Sequence, residues 1–318
     1  MAGCHKYLQF YSFVLLCCVG VVLSSCAGLN RPTILEQAGG VPPRVELETV
    51  PFYPQKEYQC GPAALAMALQ WSGLPFSPDD LTAEVFTPSR KGSLQAAMMG
   101  SARRHGRIAY VSTGLDDMFS EVAAGHPVII LQNLGLSWYP VWHYAVIVGY
   151  DLPEKVVLLR SGDIARKRMP FNVFEKTWAH SNYWGLLILR PDQLPVTAKE
   201  DLFLSAVLGL EKARQYRAAI KGYQTARSRW PENLSALMGI GNCYYALGEP
   251  ENAETAYRET IRIHPSAGPA FNNLAQVLFE QGRKQEALAA ARKALSFGGP
   301  LSAVYQKTLD EIDGLKRE

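Results

Sequence analysis

Apolar positions change their period along the chain, and each change predicts a different element. Residues 61–71 read as a helix filled with Ala and Leu, Pro62 being tolerated in its first turn. SPDDLTAEVF at 77–86 reads as a short capped helix: Ser77 caps, Pro78 opens it and acids follow. SLQAAMMGSARRHG at 93–106 is a third helix, and 116–124 a fourth, stopped by Gly125. The runs then turn β-branched and apolar. PVIILQN (127–133), HYAVIVGY (143–150), KVVLLRS (155–161) and WGLLILR (184–190) are each bounded by turn residues. MPFNVFEKTW (169–178) is again helical between them. Helices first and an antiparallel sheet second predict an α+β domain over 45–191. Before it, 26–44 carry Gly-Gly and Pro-Pro with no period and read as a tether; after it, 192–199 read as a linker.

Beyond 200 the pattern is helical throughout, and it repeats. Pro231 and Pro265 stand 34 residues apart, and Gly299 and Pro300 follow at 34–35. On that spacing Phe203, Leu237 and Phe271 align, as do Leu210, Tyr244 and Leu278. Val207, Gly241 and Ala275 share a slim position; Ala219, Ala253 and Ala287 share another, with Tyr223, Tyr257 and Ala291 after it. Small residues let two helices of a unit close together, and large ones fill the gap to the next unit. The pattern resembles the tetratricopeptide repeat. That resemblance implies an all-α solenoid over 200–318, with about three units (200–233, 234–267, 268–301), and a protein partner held on its concave face.

Length and charge bound the function. At 318 residues, 48% apolar and 19% charged, the chain has room for two globular domains. Its net charge of +3 comes from mixed signs, which argues against a nucleic-acid stripe. RKR at 166–168 reads as a solvated hairpin rim. At the N-terminus Lys6 precedes an apolar stretch over 10–23, short of the roughly 20 residues a spanning helix needs. A positive start, an apolar stretch and small residues describe an export signal. LSSC at 23–26 resembles the lipobox of bacterial lipoproteins. The resemblance implies that 1–25 are removed and that Cys26 carries lipid. With Ala27 and not Asp next, it implies attachment to the bacterial outer membrane, facing the periplasm. Of six cysteines, Cys4, Cys17 and Cys18 then leave with the signal and Cys26 is acylated. Cys60 and Cys243 remain, in different domains, so no disulfide framework is expected. An exported chain with an unpaired thiol uses it or buries it.

The candidate chemistry sits in VPFYPQKEYQCGPAALAMAL at 50–69. Cys60 stands just before Gly61, Pro62 and a helix. A helix N-terminus offers free NH groups and a positive dipole end, which favour thiolate over thiol and can face an oxyanion. Gln55 can add a side-chain NH donor, and Gly61 lets a substrate backbone come close. A thiolate nucleophile needs a general base that later returns the proton. His143, at the start of the strand HYAVIVGYD, is the candidate; His105, His126, His180 and His264 lie in weaker contexts. No metal or cofactor is called for.

Gln-(four residues)-Cys-Gly-Pro-Ala-Ala, with His-Tyr-Ala-Val-x-x-Gly-Tyr-Asp beginning 83 residues after Cys60, resembles the bacteriocin-processing (double-glycine) family of papain-like cysteine peptidases. The resemblance implies a papain-like fold over 45–191, with Cys60 as nucleophile, His143 as general base and acid, and Gln55 as oxyanion donor. The family's orienting Asp falls near Ser161 here, and Asp163 lies two residues on. Side chains two apart share a strand face, so Asp163 is expected to reach the imidazole; with Ser161 in its place the triad becomes a dyad with a hydroxyl. The substrate expected is a peptide or protein. The alternatives are an inactive binding lipoprotein of the same fold, and thiol chemistry on a non-peptide amide.

Overall fold

The structure, a computed structural model, describes residues 40–314, which fall within one compact unit. The expected export signal, Cys26 and the expected tether up to Gly39 lie outside the described residues. Among the described residues no helix is long and apolar enough to cross a membrane.

The first domain is built on α1 (Cys60–Trp71), whose residues from Gly61 to Leu69 are all buried. A helix apolar on every side belongs in the middle of a domain, and α1 lies there, against β6 (Trp142–Asp151). α2 (Pro78–Val85) starts at the Ser77 cap read from the sequence, and the structure makes it a capping box: the Ser77 backbone NH donates to Asp80 Oδ2 at 2.8 Å, and Asp80 NH donates to Ser77 Oγ. A two-stranded ribbon, β2 (Phe86–Thr87) and β3 (Gly92–Ser93), leads into α3 (Gln95–Arg104).

The sheet adds β1 (Arg44–Glu46), β4 (Ile108–Thr113), β5 (Val128–Asn133), β7 (Val156–Ser161), β8 (Ile164–Pro170) and β9 (Trp184–Leu189) to β6. Its seven strands are antiparallel in the order β4-β9-β5-β6-β7-β8, and β1 pairs with the C-terminal end of β6. One face takes α1 against Ile129, Tyr144, Val146, Val148, Leu186 and Ile188. The other takes α4 (Leu115–Ala123) and α5 (Phe171–Ala179), where Phe119 meets Tyr150 edge-on at 5.0 Å and Trp178 Nε1 donates to the Trp184 carbonyl. Cover on both faces explains why HYAVIVGY reads as a continuous apolar run and not as an alternation.

Three strands of the large sheet were not foreseen, nor was the ribbon of β2 and β3, whose Phe86 and Ser93 fall in segments read as helix. β1 takes Arg44 out of the expected tether. β4 is hidden behind Arg107, and β8 holds the exposed RKR rim, charged as edge strands are. There Arg166 forms a two-pronged pair with Glu46.

The second region stacks seven helices: α6 (Glu200–Lys212) with α7 (Tyr216–Arg229), α8 (Leu234–Ala246) with α9 (Pro250–Ile263), α10 (Gly268–Glu280) with α11 (Lys284–Ser296), and α12 (Ser302–Asp313) at the end. Two of the aligned sets are buried throughout: Ala219, Ala253 and Ala287, and with them Tyr223, Tyr257 and Ala291. Cys243 is buried in α8, where burial pushes its thiol up to about 12.

Residues 191–199 do not hang free. The buried Glu121 carboxylate of α4 accepts from Thr197 NH at 2.7 Å and Thr197 Oγ1 at 2.6 Å, and also from His126 Nδ1 at 2.6 Å. Lys199 NH donates to the Tyr110 hydroxyl, and Thr225 Oγ1 to the Pro191 carbonyl. Arg103 of α3 lies so close to Gly209 of α6 that a Cβ there would meet Arg103 Nε at 2.4 Å. The sheet domain and the first helical unit therefore share a seam of hydrogen bonds and close packing, in which the buried Arg103 Nε has no hydrogen-bond partner among the described residues.

Candidate active site

Cys60 opens α1, and no side chain caps this helix start. β3 lies directly over it: a Cβ at position 61 would stand 2.2 Å from Ser93 Oγ, so only glycine fits. The setting does not lower the thiol's pKa as the helix end alone would suggest. Burial pushes the Cys60 thiol up, and the backbone NH groups of Tyr144, Gly61 and Cys60 itself oppose this without overcoming it.

His143 is the second residue of β6, held by pairing with β5 opposite Gln132. Its Nε2 lies 3.0 Å from Ser161 Oγ. Burial, with Lys167 adding repulsion, brings the imidazole down to about 4, so it is a neutral base at physiological pH. Cys60 and His143 share the wall of one cavity of about 1000 Å³. No hydrogen bond joins the two, and catalytic hydrogen bonds often tighten only when substrate binds.

Gln55 lines the same cavity and is fixed by backbone on two sides. Its Oε1 accepts from Gly162 NH at 2.9 Å, its Nε2 donates to the Tyr144 carbonyl at 3.3 Å, and its own NH donates to the Gly162 carbonyl at 2.9 Å. One Nε2 proton is left over for a ligand.

The orienting group differs from the expectation. Ser161 ends β7 and pairs with Ile164, so Gly162 and Asp163 form the turn between them, with Gly162 at φ 64°. The chain leaves the strand before Asp163, which is exposed and makes no hydrogen bond or ion pair among the described residues. Ser161 is the residue set against the imidazole.

The remaining histidines separate clearly. His105 bonds Glu84, His126 bonds Glu121 and His264 bonds the Glu232 carbonyl. His180, exposed at the end of α5, reaches the cavity rim. Sequence reading also passed over Ser93, Tyr144 (its hydroxyl donates to the Ser93 carbonyl) and the aromatic segment just before His143. The run SWYPVW at 137–142 was the available signal for that segment.

An α+β domain with a thiol, an imidazole and an amide around one cavity, followed by paired helices, has counterparts among known proteins. Residues 47–185 match the profile of the Peptidase_C39 like family, and 204–268 and 244–303 match the tetratricopeptide repeat. The chain thus joins a domain of the Peptidase_C39 like family to tetratricopeptide repeats. Among solved structures it is similar to a protein described as a C39-like peptidase from Bacillus anthracis, at 21% identity and TM-score 0.40, over 46% of this chain and 97% of that one. It is also similar to the type III secretion chaperone SycD of Yersinia enterocolitica, solved with a peptide of the translocator YopD, at 18% identity and TM-score 0.35, over 38% and 99%. A curated relative, small glutamine-rich tetratricopeptide repeat-containing protein 2 of Mycosarcoma maydis, is 29% identical over 97 residues. That match spans 30% of this chain and 27% of the relative.

Proposed function

We propose that the chain is a cysteine peptidase held on the periplasmic face of a bacterial outer membrane by lipid on Cys26, with its repeats recruiting a protein substrate or partner. One observation carries the catalytic part: Cys60 at a helix start, His143 on a rigid strand and the spare Nε2 proton of Gln55 all belong to one cavity. In the proposed reaction Cys60 Sγ attacks the substrate carbonyl carbon, and its proton passes to His143. The oxyanion is met by the Cys60 NH and Gln55 Nε2. The amine leaves with the proton from His143, and water, deprotonated by the same ring, cleaves the thioester to return the thiol.

Ser161 at the orienting position favours a second reading, an inactive binding protein of the same fold. A hydroxyl stabilises the protonated imidazole less than a carboxylate does. Labelling the purified chain with a thiol-directed suicide reagent separates the two. Fast labelling that is lost in Cys60→Ala and slowed in His143→Ala is the expected result. Labelling no faster than that of a free thiol would sink the enzyme. For the anchor, Cys26→Ala should release the protein from membranes, and continued attachment would contradict it.

A further inference from the structure

The hairpin loop between β5 and β6 has an unusual surface. Trp138 is 80% and Tyr139 69% exposed, and Leu136, Val141 and Trp142 are exposed beside them. Large apolar side chains gathered at a surface mark a place of contact. The loop is nonetheless tightly built. Asn133 Oδ1 accepts from Gly135 NH and Val141 NH, each at 2.9 Å, and Leu136 and Tyr139 exchange two backbone hydrogen bonds at 3.1 Å. A Cβ at Gly135 would lie 2.5 Å from the Tyr139 carbonyl oxygen, so the closure itself requires glycine. The backbone that carries the apolar side chains is therefore held in a fixed arrangement, which lowers the entropy lost on binding.

This display continues into the catalytic cavity. Tyr139, Val141 and Trp142 wall the same space as Cys60. The cavity's charges are lopsided. Lys56, Arg90 and Lys91 line it against a single carboxylate, Glu57. None of the three cations forms an ion pair among the described residues, although Lys91 lies 5.9 Å over the Tyr58 ring. Unpaired cations around an apolar wall attract an anionic, bulky ligand.

We propose that the cavity selects peptide segments in which a bulky apolar side chain sits against Tyr139, Val141 and Trp142, next to an acidic side chain held by Arg90 and Lys91. The proposal rests on the peptidase reading for the cavity's role, but binding tests it without catalysis. Full-length chain carrying Cys60→Ala is titrated with fluorescein-labelled Gly/Ser decapeptides into which a Phe-Asp, Phe-Lys or Ala-Asp pair is placed at each position in turn. Fluorescence anisotropy reports affinity. The best Phe-Asp peptide should bind about tenfold tighter than the best of either control set. Its advantage over Phe-Lys should shrink at high salt, as a charge preference does. Adding Trp142→Ala should erase the gain from Phe, and adding Arg90→Ala with Lys91→Ala the gain from Asp.

Equal affinity across the three peptide sets would overturn the proposal. So would loop substitutions that leave peptide affinity unchanged but abolish adsorption to phosphatidylcholine–phosphatidylglycerol vesicles, since the aromatic tip would then be a lipid contact. The two readings fail separately. Slow, His143-independent labelling of Cys60 with the peptide preference intact removes the enzyme and keeps the recognition. Fast labelling without preference does the reverse.

Discussion

Two regions of the α+β domain each hold an imidazole, and they do so by different means. At the seam with the repeats, His126 is bonded to the buried carboxylate of Glu121, which also ties down Thr197. At the cavity, His143 faces only the hydroxyl of Ser161, with the positive charge of Lys167 nearby. The first ring has a carboxylate as its partner; the second has a neutral hydroxyl, and burial with Lys167 keeps that ring neutral. The domain has placed a buried carboxylate where the two parts of the chain are joined, and a hydroxyl where the proposed chemistry happens.

Breaking the seam should have the largest effect. Glu121→Ala leaves the Thr197 NH and hydroxyl and the His126 ring without their acceptor in a buried site. The expected cost is about 3–5 kcal/mol of unfolding free energy, measured by urea denaturation. Proteolysis should at the same time begin to cut within 192–199. A cost below about 1 kcal/mol would show that the seam behaves like an exposed pair.

Making the cavity resemble the seam should have a middling effect. In Ser161→Asp the carboxylate would draw His143 up from its value of about 4, which an NMR titration of the ring would read. Each pKa unit gained is worth about a tenfold shift between the two ring states. Cys60 labelling at neutral pH should therefore speed up by about tenfold. An upward titration without faster labelling would show that the hydroxyl does not limit the site.

An effect confined to acid pH is that on stability. His143 resists protonation in the fold, while in the unfolded chain it takes a proton near 6.5. Its contribution is thus unchanged above pH 6.5 and turns against the fold as pH falls from 6.5 toward 4. His143→Gln should flatten that part of the stability curve, as read from urea midpoints. A curve of unchanged slope would place the acid sensitivity elsewhere.

Much of the architecture was legible because burial writes itself into composition. The runs at 127–133, 143–150 and 184–190 are covered on both sheet faces, and the repeat positions at Ala253 and Tyr257 are buried to keep two helices close. β8 was not legible, because an exposed edge strand is charged and looks like a loop. The seam was not legible either. Glu121 in a helix reads as a solvated position, and only folding brings Thr197 to it from 76 residues away. Cys60, His143 and Gln55 are legible through the family resemblance, with Cys60 at a helix start and His143 at a strand start as the local support. The choice between Ser161 and Asp163 is not, because the rule that residues two apart share a face ends where the strand ends. Gly162 turns the chain one residue before that rule would have delivered Asp163.

The way Gln55 is seated has a consequence for handedness. Its side-chain amide has an oxygen end and a nitrogen end of nearly equal size, and in an ordinary surface glutamine the two exchange freely. Here the backbone NH of Gly162 admits only the oxygen, and the Tyr144 carbonyl only the nitrogen. Turning the group over would set donor against donor and acceptor against acceptor. The amide therefore has a single sense, written by two main-chain groups, one in a turn and one in a strand. A glutamate in its place, though the same shape, would bring an oxygen to a carbonyl and have no proton to lend.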